Sequence, residues 1–205
     1  MRQLLGTKIG MTAVFTAAGD QIPVTVVQAG PCPVLRVKTR KSDGYDAVVL
    51  GYASGHKRNF NKPAVGFFKK VEIEPLRFLR EMRLRSSEEI NPGDIWTVEA
   101  FKPGEKVRVI GIAKGKGFQG AMRRHHFSGG PKSHGQSDRM RAPGSVGSSS
   151  YPARTYRGQR MAGRMGGQQV TLRSVKVVDI DIEKNLILLK GAVPGTRNGL
   201  VIIRN

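Results

Sequence analysis

A long internal segment almost without branched aliphatic residues most constrains the fold of this chain. The 57 residues from Ala113 to Gln169 include a single Val, Ile or Leu, which is Val146. Such a segment cannot bury enough apolar surface to offset the conformational entropy that it would lose on ordering. Both of its flanks are apolar and strand-like, so the sequence predicts an arm inserted into a folded body, not a terminal tail.

The same arm concentrates positive charge. It carries eleven basic residues against one acid, Asp138, which gives it +10 of the formal +20 of the whole chain. The basic residues are Lys114, Lys116, Arg123, Arg124, Lys132, Arg139, Arg141, Arg154, Arg157, Arg160 and Arg164. Arginine predominates, and its planar fork suits paired phosphates and base stacking better than a lysine ammonium does. A charged arm anchored at both ends therefore predicts a polyanionic partner, with nucleic acid as the first candidate.

The remaining residues, 1–112 and 170–205, form the predicted body. Short β-branched runs alternate there with Gly, Pro and Asp turns, which is typical of strands. The predicted strands are 11–16, 23–29, 34–39, 47–50, 76–84, 107–112, 170–177, 186–189 and 200–203, whereas 64–70 is compatible with a helical turn or a loop. This pattern predicts a mainly β fold, with an antiparallel β-barrel body, little helix, and a long, irregular basic arm (113–169) inserted between strands.

Several other classes of protein are not favoured. A single cysteine, Cys32, excludes an intrachain disulfide and a cysteine-based metal site. His125, His126 and His134 lack the further ligands that a metal would need, and no catalytic constellation is present, so we expect no metal, no cofactor, no small-molecule substrate and no enzymatic activity. No apolar run approaches the length of a membrane span, and the N-terminal residues do not resemble a signal peptide, which favours a cytoplasmic protein without a membrane partner.

One motif leaves an alternative open. Residues 115–120 (GKGFQG) match the G-x-G-x-x-G dinucleotide fingerprint and follow a predicted strand. A nucleotide-dependent oxidoreductase would use these glycines for a pyrophosphate, whereas an RNA-binding arm would use them to bring its backbone close to phosphates. A free nucleic-acid chaperone is a third possibility. Aromatic residues between the charges, such as Phe118, Phe127, Tyr151 and Tyr156, suit stacking on unpaired bases.

Several ordered motifs resemble one family, the bacterial-type large-subunit ribosomal protein three. They are LGTKIGMT (5–12), DGY (43–45), NKP (61–63), KGKGFQG (114–120) with Arg124, SHG (133–135), RAPGSVG (141–147), MAG (161–163) and KGAVPG (190–195). The resemblance covers nearly the whole chain. It departs at Arg108, Ala113 and the serines 148–150, where many members carry a Gln-Asn-Gln run whose second glutamine is methylated in some of them. Because Ser150 cannot carry that methyl group, we do not predict the modification.

The resemblance implies a structural protein of the cytoplasmic large ribosomal subunit that binds 23S rRNA near its 3′ end and promotes early assembly. It also implies neighbours among the large-subunit proteins, namely proteins fourteen and nineteen, and an arm that reaches toward the peptidyl transferase centre. The tip residues expected near that centre are Gly144, Ser145, Gly147, Ser148, Ser149 and Ser150. The predicted rRNA-binding residues are Lys8, Lys38, Arg40, Lys57, Arg58, Lys114, Lys116, Arg123, Arg124, His125, Lys132, His134, Arg139, Arg141, Arg154, Tyr156, Arg157, Arg160 and Arg164.

Overall fold

The computed structural model describes residues 3–84 and 90–205, in which β-strands predominate. The strands are β1 (Gln3–Phe15), β2 (Gln21–Ala29), β3 (Cys32–Lys38), β4 (Ala47–Ser54), β5 (Leu76–Arg83), β6 (Ile95–Trp96), β7 (Lys106–Ile112), β8 (Phe118–Gln119), β9 (Gly163–Arg164), β10 (Gln169–Asp181), β11 (Leu186–Lys190) and β12 (Leu200–Arg204). The α-helices are α1 (Arg40–Asp43), α2 (Lys62–Val71) and α3 (Ala121–His125), and Lys57–Asn59 and Val98–Ala100 form 3₁₀ turns. The chain divides into two compact units, Met1–Ile112 with Gln169–Asn205, and Ala113–Gln168.

Six strands of the first unit, called the body below, close into an antiparallel barrel in the order β1-β12-β7-β10-β11-β2. The pairing of β1 with β2 completes the ring, with a bulge between Lys8 and Gly10. Closure leaves these strands without a free edge, which is the usual solution for a sheet that buries one face. The predicted mainly β fold with an antiparallel barrel is confirmed, although β1 begins at Gln3, well before the predicted start at residue 11.

The barrel interior follows from residue alternation. In β7, β11 and β12 every second residue is buried, including Val109, Ile187, Leu189 and Ile203. Side chains with this period of two point to one face of a strand, so each strand contributes a row of branched aliphatic groups to the core. The apolar alternation seen in the sequence is therefore the direct cause of the core.

A second antiparallel sheet, in the order β5-β4-β3-β6, lies outside the ring. Its buried residues Val34, Leu50 and Met82 belong to the same apolar cluster as the barrel interior. The predicted strands 34–39, 47–50 and 76–84 are thus present but form a separate sheet, because the pairing partner of a strand is set by long-range packing and not by its own pattern.

The undecided segment 64–70 belongs to helix α2. Pro63 lies at the start of the helix, where its missing amide costs nothing, and Phe68 is buried against the rings of Phe60 and Phe67. Gly66, in the middle of α2, lowers the intrinsic helix propensity of this segment, so the packing of its aromatic side chains stabilises the helix.

The basic segment connects two neighbouring barrel strands. Ile112, the last residue of β7, pairs with Gln169, the first residue of β10. The segment 113–168 therefore takes the place of a simple hairpin loop between antiparallel partners, and both of its ends are fixed by the ladder of the barrel.

Candidate nucleic-acid interface

The root of the arm is a hydrogen-bonded hairpin. The amide of Ala113 donates to the carbonyl of Gln168 at 2.9 Å, the amide of Lys116 donates to Met165 at 2.9 Å, and β8 pairs with β9. At Gly166 the backbone takes φ +71, and a Cβ there would lie 2.1 Å from the carbonyl oxygen of Lys114. Only glycine allows the two limbs to approach this closely. Ala113, one of the departures from the family pattern, keeps its backbone bonds in this ladder.

This hairpin contains the whole G-x-G-x-x-G motif. Residues 116–119 pair with the returning limb, and the helix that follows, α3, is five residues long. A dinucleotide site needs a parallel strand–helix–strand unit whose helix begins at the last glycine. Every strand ladder in residues 3–84 and 90–205 is antiparallel. The arrangement therefore contradicts the oxidoreductase alternative.

The arm beyond the root has almost no core. Ala121 is the single apolar residue of 113–168 that is buried, while the aromatic side chains of Phe118, Tyr151 and Tyr156 are 76%, 86% and 58% exposed. Large aromatic surfaces exposed next to cationic groups are typical of segments that stack on nucleic-acid bases. The composition thus predicts the lack of buried apolar surface correctly.

The positive charge of the arm is not compensated within the arm. Ten of its eleven basic side chains are exposed, Arg124 is half-buried, and none of them forms an ion pair with another described residue. The lone acid, Asp138, accepts a hydrogen bond from Ser137 instead. Unpaired guanidinium and ammonium groups at this density create a strongly positive surface that attracts polyanions.

Two predicted site residues also hold the arm together. Arg124 donates from Nη1 to the carbonyl of Met161 at 2.7 Å, and Nε2 of His125 lies 3.0 Å from the same oxygen. Both side chains therefore link α3 to the returning limb, 36 and 37 residues away. Arg123, by contrast, contacts only the side chain of Gln119 at 3.2 Å.

The tip of the arm is open and irregular. Ser145 donates to the carbonyl of Gly147 at 3.0 Å, Gly144 takes φ +80, and Ser148, Ser149 and Ser150 are exposed. Lys132, His134, Arg139, Arg141, Arg154, Arg157, Arg160 and Arg164 are exposed as well. All these predicted residues are accessible to a partner.

The predicted site residues of the body behave differently. The Lys8 ammonium donates to the carbonyl of Val193 at 2.7 Å, which ties β1 to the chain before β12. Arg40 forms an ion pair with Asp46 at 3.0 Å. Arg58 is exposed, and the side chain of Lys57 lies outside the described part of the structure.

Lys38 is also paired. Its ammonium lies 2.5 Å from Glu81, and Tyr45 donates to the other oxygen of that carboxylate at 2.9 Å. The hydrogen bond with Glu81 raises the pKa of Lys38, and the same bond is the main reason that the pKa of Glu81 is lowered, with Tyr45 second in both cases. The pair therefore stays charged at neutral pH, and the charge of Lys38 is locally balanced.

One feature of the arm could not be predicted from the sequence. The turn that follows α3 and the segment from Arg139 to Gly144 line an open cavity of about 620 Å³. The Gly129-Gly130-Pro131 run is its only signal in the sequence, because it marks a sharp change of direction that a helix cannot follow.

Metal and membrane sites are not indicated by the described residues. In 3–84 and 90–205 no three His, Cys, Asp or Glu side chains come together in a way that would hold a metal ion. None of the helices in the described part of the chain has the length and apolar character needed to cross a membrane.

Comparison with known proteins agrees with the motifs. The family model described as ribosomal protein L3 matches residues 86–185. The large ribosomal subunit protein uL3 of Herpetosiphon aurantiacus is 49% identical over 200 residues, which cover 98% of this chain and 94% of that protein. The chain belongs to the ribosomal protein L3 family. The uL3 proteins of Acidothermus cellulolyticus and Thermotoga maritima are each 50% identical, over 100% of this chain and 92% and 97% of theirs. The resemblance of the sequence motifs to this family is therefore confirmed.

Within the L3 family the arm is part of the shared sequence and not an addition to it. The matched residues 86–185 include all of 113–168, and the alignments with these two relatives cover 100% of this chain. The basic hairpin and its cavity therefore lie within the region that the family model matches.

Proposed function

We propose that this chain is a structural, non-catalytic protein of the cytoplasmic large ribosomal subunit and that its arm binds 23S rRNA. The observation that carries the proposal is the uncompensated charge of the arm. None of its eleven basic side chains forms an ion pair with another described residue, and exposed aromatic rings lie between them. The relatives' names, which all refer to the large ribosomal subunit, support the assignment.

The two units contribute differently in this proposal. The barrel is a rigid anchor, and the ends of the arm leave it at the paired residues Ile112 and Gln169. Because Lys38 and Arg40 are balanced by carboxylates of the body, they contribute less to phosphate binding than the unpaired basic residues of the arm. Guanidinium groups there neutralise RNA strands that would otherwise repel one another, and this neutralisation promotes early subunit assembly.

The position in the subunit is part of the same proposal. The barrel binds near the 3′ end of 23S rRNA beside proteins fourteen and nineteen, and the tip from Gly144 to Ser150 points toward the peptidyl transferase centre. The small side chains of that tip support a role in a crowded RNA environment, where glycine and serine allow the backbone to approach phosphates.

The salt dependence of binding tests the role of the arm. If the arm makes on the order of 8 phosphate contacts, the logarithm of the association constant for 23S rRNA falls with the logarithm of salt concentration with a slope of about −6 to −7. Deleting 125–160 removes six of the eleven basic residues of the arm, and the slope should become much shallower. Arg124 already contacts Met161, so a short linker can join the cut ends.

The matched control is the stability of the body. Urea unfolding of the deletion variant should keep the midpoint of the full chain, because the barrel core contains no residue from 113–168. An unchanged slope with an intact body would overturn the arm-centred proposal. Co-sedimentation with salt-washed large subunits separates a ribosomal protein, present in stoichiometric amount, from a free nucleic-acid chaperone, which is washed away.

A further inference from the structure

We propose that the cavity after α3 is a binding pocket for one unpaired nucleotide of the rRNA. The cavity lies wholly within the arm, between the turn 125–131 and the segment 139–144. At about 620 Å³ it falls within the range of roughly 300–1,000 Å³ found for small-molecule sites. The inference rests on the proposed function, and it adds a specific recognition element to an interface otherwise described by charge alone.

The cavity has defined walls. The amide of Gly130 donates to the carbonyl of Met140 at 2.9 Å and joins the two segments. Gly129 takes φ +77, and a Cβ at this position would lie 2.5 Å from the same carbonyl oxygen. The close approach of the two backbones therefore depends on glycine, and it produces a concave surface where an exposed loop would otherwise be flat.

One side of the cavity presents rings. Phe127 and His125 have ring centroids 6.1 Å apart at an interplanar angle of 44°, and the contact between His125 and the carbonyl of Met161 fixes the histidine ring. Phe127 remains only half-buried, because the arm provides no core to cover it. A half-buried aromatic ring at a cavity wall suits the face of a nucleobase, which stacks on such rings without regard to its identity.

Cations complete the site. Arg139 and Arg160 line the cavity from different parts of the arm, and neither side chain has a hydrogen bond or ion pair with any described residue. The acid Asp138 does not line it. Rings and two unpaired guanidinium groups around one cavity match the base and the phosphate of a single nucleotide better than an apolar side chain of a neighbouring protein.

Zero-length ultraviolet crosslinking of the full chain bound to 23S rRNA tests the pocket. Trypsin releases the segment 125–132, which contains Phe127, so mass spectrometry can detect a nucleotide attached to it. The wild-type segment should carry a crosslinked nucleotide. Filling the cavity with Ala142→Leu should reduce that crosslink roughly fivefold or more, the lower end of what one base–aromatic stack contributes. Ala162→Leu, at an exposed position outside the cavity, should leave it unchanged.

A second pair of variants covers the case in which Ala142→Leu alters the arm itself. Arg160→Gln and Arg173→Gln each remove one exposed charge, but only Arg160 lines the cavity, whereas Arg173 lies in β10 of the body. The crosslink to 125–132 should fall several-fold in the first variant and persist in the second. Equal yields in both variants would overturn the pocket.

The salt dependence of binding distinguishes a failure of the pocket from a failure of the proposed function. If deletion of 125–160 flattens the slope while the wild-type segment 125–132 carries no nucleotide, the arm binds RNA and the pocket is wrong. If the slope does not respond to the deletion, the proposed function fails, and the pocket, which rests on it, fails with it.

Discussion

Replacing Gly166 by alanine should open the root of the arm while leaving the barrel folded. The new Cβ would lie 2.1 Å from the carbonyl oxygen of Lys114, and the residue would have to keep φ +71. The left-handed conformation alone costs a non-glycine residue about 1–2 kcal/mol. Relief of the overlap should also break a neighbouring backbone bond, such as that from Lys116 to Met165 at 2.9 Å, which contributes about 0.5–1.5 kcal/mol.

The two costs together come to about 1.5–3.5 kcal/mol, and a value of about 2 kcal/mol corresponds to a roughly 30-fold change in the local opening equilibrium. Hydrogen exchange followed by NMR measures this directly. The amides of Lys116, Met165 and Gly167 all donate within the root and should lose about 30-fold of their protection. Amides of the barrel ladder, such as those of β7 and β12, should keep theirs because the two units are separately compact.

Gly115→Ala is the matched control. It lies in the same hairpin, but its backbone does not take a positive φ and a Cβ there would meet nothing within 4 Å. Exchange at the root should be unchanged or slightly slower, because alanine lowers the entropy of the open state. Equal loss of protection in both variants, or wild-type amides at the root that exchange as fast as an unstructured peptide, would refute the reasoning.

Three further predictions concern the body. The Cys32 thiol is fully buried, and burial raises its pKa to about 11. At pH 8 it should therefore react with a thiol reagent only as fast as the body unfolds, and rapid labelling of the native chain would contradict this. Lys8→Met should lower the free energy of unfolding by about 1–3 kcal/mol, because the carbonyl of Val193 loses its donor. The salt slope of RNA binding should stay unchanged, whereas a slope shallower by about 1 would indicate that Lys8 contacts a phosphate. The hydrogen bond to Lys38 lowers the pKa of Glu81, so the charged carboxylate stabilises the fold at pH values above the usual pKa of glutamate, and this stabilisation is lost as the pH falls. Between pH 6 and pH 3 the free energy of unfolding should therefore fall less steeply in Glu81→Gln than in the wild type. Identical curves for the two proteins would count against the pair.

Local sequence patterns predict most of the barrel but not how its elements combine. The alternation in 170–177 and the apolar runs 107–112 and 200–203 identify β10, β7 and β12, because side chains in a strand face the core with period two. The separation of β3 to β6 into a second sheet could not be predicted in this way. Strand partners depend on packing between residues that are distant in sequence, such as Leu50 in β4 and Arg80 in β5.

The features of the arm, like those of the barrel, could be predicted only in part from the sequence. Its charge and its lack of a core follow directly from composition, and its accessible arginines lie where the sequence suggests. The roles of Arg124 and His125 as links to Met161 could not be predicted, because a contact across 36 or 37 residues leaves no periodic signal. The contacts of Lys8 with Val193, 185 residues away, and of Lys38 with Glu81 could not be predicted for the same reason. Basic residues that look alike in the sequence therefore differ in the charge that is available to a partner.

That difference in available charge is the central claim, and one comparison of salt slopes tests it most directly. Arg154, Arg157 and Arg160 have no ion-pair partner among the described residues, whereas Arg36, Lys38 and Arg40 are paired with Asp43, Glu81 and Asp46. Replacing each set of three with glutamine removes the same formal charge. We expect the arm variant to bind 23S rRNA with a slope shallower by about 2–3 and the body variant with a slope changed by less than about 1. Equal changes in the two variants, or a larger change in the body variant, would contradict the account.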